Sequence, residues 1–363
     1  MRAVVLCHTS ELALVVLRAL RVNGVVPYVA CEPRIEKVIA FSRACARVFY
    51  SGPLSRTEGD LAAVTQAVAR LHREVGIDVV MASNVQGLRI LHDIRHAMPA
   101  PVYPMPPLDA LDVLDDKRKF YDLAANLDVP VPRSMEFETA QAIDVDRVSR
   151  DLGYPVAVKP AVSWASVGFL KVGSERELSD LTMPGQYPFR RVLVQEFIEG
   201  DDVGAGLFVR RGEPLTIATF KCGPRDAAEF VPIPALVQAA ERIVDATGCE
   251  GVINFDARLS QSGEFRVLEC NPRFFMRLRA ARLCGLDFLR MGLPASGNNS
   301  GRAQGCYRPV GDAVSSAGLR QLVSGEWPLG VFARTVAELA GDPLPTLLSR
   351  LGSGRTRLPP AEA

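Results

Sequence analysis

Gly251-Val-Ile-Asn-Phe-Asp-Ala-Arg-Leu-Ser-Gln-Ser-Gly-Glu-Phe-Arg-Val-Leu-Glu-Cys-Asn-Pro-Arg273 decides how the chain is read. Two apolar runs flank Ser262-Gly263, a pair suited to a two-residue hairpin turn. Such a turn pairs Gln261 with Glu264 and, counted back along both strands, sets Asp256 opposite Glu269. Period two then brings Asn254 and Asn271 to the same face. Opposed carboxylates lie roughly 5 Å apart at Cβ and repel by about 3 to 4 kcal/mol at an effective dielectric of 20. Something positive is expected between them. Hard divalent cations take carboxylate and amide oxygens, and magnesium commonly shares one or two carboxylates with nucleotide phosphates. Asp256, Glu269 and Asn271 are therefore a candidate Mg²⁺ (or Mn²⁺) site. Arg273, behind Pro272, is placed to reach an anion beside that metal. The competing reading is an exposed sheet face on which two acids merely repel across solvent.

Working outward, the 363 residues carry Lys+Arg 42 against Asp+Glu 41, a net charge of +1. That balance argues against a nucleic-acid partner, which would call for a basic excess or stripe. Length suggests about two folding units. The eight cysteines form no CxxC pair and several sit in apolar runs, as in Val4-Val5-Leu6-Cys7. They read as reduced, buried residues of a cytoplasmic protein. The apolar segment from Leu12 to Leu20 is interrupted by Arg18, so no membrane span or targeting segment is expected.

Residues 1 to about 100 alternate strand and helix signals. Ala3 to Cys7, Val25 to Ala30 and Asp78 to Ala82 read as strands, Glu11 to Val22 (capped by Ser10) and Asp60 to Glu74 as helices. The alternation predicts a parallel sheet with helices on its faces. The first turn, Cys7-His8-Thr9-Ser10, lacks the glycines of a dinucleotide cradle. Prolines cluster from Pro99 to Pro107, and a helical stretch from Leu108 to Leu127 follows. Beyond it come strands at Val156 to Lys159, Gly168 to Val172, Val192 to Glu196, Val203 to Val209, Leu215 to Lys221 and Phe265 to Cys270, with one helix from Ala235 to Thr247. Two weak helices, Ser315 to Ser324 and Val331 to Leu339, precede a frayed tail.

Taken together these residues resemble the ATP-grasp superfamily, and in particular its carboligase-like branch. Leu268-Glu269-Cys270-Asn271-Pro272-Arg273 is similar to its E-x-N-x-R signature. Asp116-Lys117 with Val129-Pro130-Val131-Pro132, Tyr154-Pro155-Val156-Ala157-Val158-Lys159-Pro160, and Val194-Gln195-Glu196-Phe197-Ile198-Glu199-Gly200 resemble its other landmarks in order. The likeness runs from about Leu108 to Leu293. It implies an α/β and α+β architecture: an N-terminal Rossmann-like pre-ATP-grasp domain (1–106), a small lid subdomain (107–190), a C-terminal subdomain with the Mg-ATP site (191–300), and a helical extension (301–363).

The resemblance also implies roles. Lys117 and Lys159 would contact ATP phosphates, as compact point charges suited to them. Main-chain groups of Glu196 and Ile198 would read the adenine edge, and Asp202 would accept from the ribose hydroxyls, with Asp201 its rival. Ser163 and Ser166 belong to the phosphate-covering loop, Ala161 to Gly168. That loop holds a single glycine where relatives are glycine-rich, and Met276-Arg277 stands where they carry Gly-Ser. The implied activity is an ADP-forming ligase that activates a small carboxylate as an acylphosphate and joins it to an amine, with Arg273 stabilising the transferring group. A nucleotide-binding protein without turnover is the alternative, and self-pairing into a homodimer is left open.

Other chemistries fit less well. His92 and His96 have helical i, i+4 spacing, but the intervening acid is Asp93 and no histidine follows. The same lack disfavours a Ser-His-Asp hydrolase. Arg277, Arg279, Arg282 and Arg290 could hold an anionic substrate, although a solvated helix face is the preferred reading.

Overall fold

The computed structural model describes residues 1–162, 167–224, 227–294, 302–308, 322–325 and 327–342. In chain order its elements begin β1 (Arg2–Cys7), α1 (Ser10–Val22), β2 (Val26–Cys31), α2 (Pro33–Ile39), β3 (Arg47–Ser51), α3 (Glu58–Val75), β4 (Val79–Ala82) and α4 (Val85–Ile94). Next come α5 (Leu108–Leu114), α6 (Lys117–Asn126), β5 (Ser134–Thr139), α7 (Val145–Asp151), β6 (Val156–Pro160), β7 (Leu170–Val172), α8 (Glu175–Leu181) and β8 (Arg190–Glu196). The remainder is β9 (Asp201–Arg210), β10 (Glu213–Cys222), β11 (Ala228–Phe230), α9 (Pro234–Thr247), β12 (Gly251–Leu259), β13 (Phe265–Asn271), α10 (Leu278–Leu283), α11 (Phe288–Met291), β14 (Gly305–Tyr307) and α12 (Leu329–Gly341).

Three sheets result, ordered β3-β2-β1-β4, β5-β8-β6-β7 and β13-β12-β9-β10-β11-β14. The first is parallel throughout, its pairs joined by helical crossovers. Alternate residues of β1 feed two cores: Ala3, Val5 and Cys7 pack with the α1 side, Val4 and Leu6 with the α3 and α4 side. A β strand buried on both faces needs that continuous apolar sequence. In the second sheet β8 pairs antiparallel with both β5 and β6. Val156, Val158, Val192 and Val194 bury their side chains there against α7 and α8.

By compactness the described chain divides into two units. One comprises Met1–Leu111, Val203–Asn254 and the described residues from Asn271 onward; the other comprises Asp112–Asp202 and Phe255–Cys270.

Several local expectations change. The α1 N-cap is Thr9, not Ser10, and it makes no side-chain capping bond. The stretch from Leu108 to Leu127 is two helices, because Asp116 takes an extended conformation and caps α6 through Arg118 N and Lys119 N. His96 lies in a 3₁₀ turn beyond the end of α4, so the two histidines do not share one α-helix. The helix expected at Ser315 to Ser324 falls largely outside the described residues, whereas Val331 to Leu339 lies within α12.

Candidate nucleotide and ligase site

The deciding hairpin closes differently from the expectation. Gly263 N donates to Ser260 O at 3.0 Å and Ser260 N to Glu264 O at 2.8 Å. The loop is therefore three residues, Gln261 to Gly263, with Gly263 at φ 86° in the left-handed position of such turns. Counted back from Ser260 and Glu264, Asp256 faces Leu268, one residue short of Glu269. Along β13, Phe265, Val267 and Cys270 are buried whereas Leu268 and Glu269 are half-buried; along β12, Asp256 and Arg258 are half-buried. The two-residue turn expected is replaced by a three-residue loop, so the direct opposition of Asp256 and Glu269 that rested on that turn does not follow from it.

Within the second unit two lysines converge on this hairpin. Lys117, the first residue of α6, is 6% exposed. Its Nζ lies 3.3 Å from Glu269 Oε2. Lys159, on β6, donates to Tyr121 Oη at 3.2 Å, and Tyr121 donates in turn to Leu268 O at 2.6 Å. Burial pushes the Lys159 ammonium down to about 8, against the opposing pull of the Glu269 charge. Burial likewise pushes the Tyr121 phenol up. Phe120, fully buried, packs its ring 6.5 Å from that of Phe255, which seats α6 against β12. Helix start, strand and hairpin thus carry two ammonium groups and two carboxylates in one unit.

The hinge residues also take defined places. Glu196 is gripped by Arg133, whose Nε lies 2.7 Å from Oε2. Arg258 lies 2.9 Å from Asp202 Oδ1 and donates to Ile198 O and Gly200 O, each at 3.1 Å. Two cations stand near the Phe197 ring, Lys171 at 4.0 Å and Arg258 at 5.2 Å from its centroid. Gly200 has φ 145°, and a Cβ there would stand 2.1 Å from Leu259 O, so only glycine fits. Asp202 is therefore already ion-paired, with a partner that no local pattern announces. Ser163 and Ser166 lie outside the described residues.

In the first unit, Arg273 donates to Asn271 Oδ1 at 2.7 Å and to Phe274 O at 2.8 Å. Arg277 donates to Ala227 O at 3.2 Å. The basic run does not form a solvated face. Arg279 and Arg282 are 10% exposed and both pair with Glu338 of α12, while Arg290 is exposed. A partner far downstream, 56 residues from Arg282, is invisible to helical spacing.

Does this donor set suit a magnesium nucleotide? Among the described residues no group of three or more His, Cys, Asp or Glu is arranged to hold a metal ion. The two carboxylates of the second unit, Asp256 and Glu269, would leave several coordination positions to phosphate and water oxygens, which is how Mg²⁺ is commonly held. The two partly desolvated ammonium groups are matched to polyanionic phosphates. The residues fit the group.

A parallel α/β sheet followed by an antiparallel-rich α+β region, with lysines and a carboxylate-amide hairpin in this order, defines an ATP-grasp fold. Comparison agrees. Residues 188–307 match the family profile "ATP-grasp in the biosynthetic pathway with Ter operon", and residues 123–220 match "D-ala D-ala ligase C-terminus". Over these residues the chain resembles proteins of the ATP-grasp superfamily.

Among curated relatives, a D-alanine–D-alanine ligase of Pseudomonas entomophila is 29% identical over 199 residues, covering 48% of this chain and 61% of the ligase. The arginine-specific carbamoyl phosphate synthase large chain of Geobacillus stearothermophilus is 25% identical over 180 residues, 46% of this chain and 17% of that one. The matches thus span less than two thirds of these relatives' length. Among solved structures, carboxyaminoimidazole ribonucleotide synthase of Aspergillus clavatus with ATP superposes with TM-score 0.63 at 15% identity, covering 84% of this chain and 80% of that one. Biotin carboxylase of Campylobacter jejuni gives 0.61 at 15%, over 84% and 74%. At that identity the likeness establishes fold.

Proposed function

We propose that this chain is an ADP-forming ligase that activates a small carboxylate as an acylphosphate and joins it to an amine. The observation that carries the reading is Lys117 Nζ at 3.3 Å from Glu269 Oε2, with Lys159 on the neighbouring strand beside Tyr121. Phosphoryl transfer asks a protein for positioning and charge neutralisation rather than covalent help. Lys117 and Lys159 would offset the phosphate charge. Glu196, Ile198 and Asp202 would hold adenine and ribose, and Ser163 and Ser166 would cover the phosphates. Asp256, Glu269 and Asn271 would hold Mg²⁺ (or Mn²⁺), which supplies Lewis-acid neutralisation of the phosphate oxygens when bound.

The chemistry then runs in two displacements. A substrate carboxylate oxygen attacks the γ-phosphorus, the bond to the β-phosphate oxygen breaks, and ADP leaves. The amine lone pair next attacks the acyl carbon, phosphate departs with the bonding electrons, and the amine loses a proton to solvent or phosphate. Arg273 would steady the negative charge of the transferring group, and no protein nucleophile is required. Excluding water during the first displacement protects an intermediate that otherwise hydrolyses.

Relatives whose names describe ligation of amino acids or synthesis of carbamoyl phosphate support this class. The four linear segments, cytoplasmic location and small-molecule substrates belong to the same proposal. No described helix is long and apolar enough to cross a membrane.

The single glycine of the covering loop favours a second reading, nucleotide binding without turnover. ADP release measured with pooled amino acids, hydroxy acids and amines, beside Glu269→Ala, separates the two. Substrate-stimulated ADP that Glu269→Ala abolishes supports the ligase. ATP binding with no stimulation in any pool supports the second reading.

A further inference from the structure

Arg191 is the second residue of β8 and has φ 51°, a left-handed conformation unfavourable for a side chain with a Cβ. Its guanidinium uses its full fork. Nε donates to Glu136 Oε1 at 2.7 Å, one terminal nitrogen to Asp116 Oδ2 at 2.7 Å, and the other to Asp116 Oδ1 at 3.4 Å. Asp116 is the residue that caps α6, accepting from Arg118 N at 2.9 Å and Lys119 N at 3.3 Å. Lys117 follows it. The main chain closes the ring: Ala161 N donates to Arg191 O at 2.7 Å, and Lys117 N to Ala161 O at 3.4 Å. Arg191 of β8 therefore reaches Lys117 by two short relays, through the carboxylate of the preceding Asp116 and through Ala161, whose carbonyl accepts from Lys117 N. Burial opposes ionisation of Asp116, but its bonds to Arg191 and to the capping N–H groups keep the carboxyl below its usual range. All of these groups belong to the second unit.

We infer that Arg191 is the positioning residue for Lys117, fixing where that ammonium stands and tying it to the strand end that leads into the covering loop. The inference rests on the ATP reading only for its consequence in binding; the clamp itself is a statement about Lys117. Lysine cannot replace the residue fully, because one ammonium cannot meet Asp116 bidentately and Glu136 together. Ion pairs with an exposed partner add little stability. Arg191 is 43% exposed on its side chain. Its contribution is geometry.

The test is site-resolved acylation of the six lysines in the full chain, read by peptide mass spectrometry, for wild type, Arg191→Met and Arg191→Lys. ATP affinity is measured on the same samples. Lys117 labelling is expected to rise about tenfold in Arg191→Met and by an intermediate factor in Arg191→Lys, while Lys159 labelling stays at the wild-type rate. ATP affinity is expected to fall in the same order. Unchanged Lys117 labelling overturns the proposal, as does an equal rise at Lys117 and Lys159, which reports general loosening. If Arg191→Met does not fold, Arg191→Lys decides by the same ratio. Wild-type protein that fails to bind ATP, while the Arg191 variants still release Lys117 selectively, refutes the nucleotide reading and leaves the clamp standing.

Discussion

The Lys159 ammonium, pushed down to about 8 by burial, makes nucleotide affinity depend on pH. Only the charged form attracts phosphate. Free protein with that value is about nine-tenths protonated at pH 7 and about one-tenth at pH 9, so ATP binding should weaken roughly tenfold, about 1.4 kcal/mol, across the interval. The sign for stability is the reverse. An unfolded lysine titrates near 10.5, so between about pH 8 and 10.5 the unfolded chain binds more protons than the folded one. This group alone then makes the apoprotein more stable as pH rises through that window. Titration calorimetry at pH 7, 8 and 9 in buffers of different ionisation enthalpy measures both the affinity and the proton taken up. Uptake of about half a proton per ATP is expected near pH 8. Lys159→Arg stays charged throughout and should bind with no such dependence. A wild-type affinity flat from pH 7 to 9, or the same slope in Lys159→Arg, refutes the reasoning.

Other expectations follow from neighbouring contacts. Glu269→Gln removes one charged oxygen from the hairpin and should weaken Mg-dependent ATP binding at least tenfold, or about 1.4 kcal/mol, read as the difference between magnesium and EDTA. Arg258→Met releases Asp202 and the Ile198 and Gly200 carbonyls; ATP affinity should fall severalfold, with no change expected at the magnesium-dependent step. Gly200→Ala drives a Cβ to 2.1 Å from Leu259 O and should cost about 2 to 4 kcal/mol, seen as a lower denaturation midpoint. Phe120→Ala empties a fully buried site beside Phe255 and should cost about 3 to 5 kcal/mol in the same assay.

The parts of this molecule legible in sequence are those with local periodicity. Val156 to Pro160, Gly251 to Leu259 and the first parallel strands declare themselves by apolar runs or apolar alternation, and Pro234 with Gly248 frames α9. Short elements such as α2, β3, β5 and α7 gave too few residues for a period to emerge. The hairpin turn was misread because Ser-Gly suits both a two-residue turn and the last positions of a three-residue loop. Long-range partners were invisible. Arg191 meets Asp116 across 75 positions, Tyr121 meets Leu268 across 147, and Glu338 reaches back to Arg279 and Arg282. Nothing local distinguishes such residues from solvated neighbours, yet they set which lysines are buried and which arginines are not.

The central claim is that Asp256, Glu269 and Asn271 bind a metal together with ATP phosphates while a carboxylate is activated. Paramagnetic Mn²⁺ tests it directly: ¹⁷O-labelled phosphate oxygens of ATP, bound to the protein with Mn²⁺, should broaden the metal's electron resonance lines. Glu269→Ala and Asp256→Ala should lose the bound signal. A bound Mn-ATP spectrum unchanged in both variants would place the nucleotide elsewhere and contradict the account.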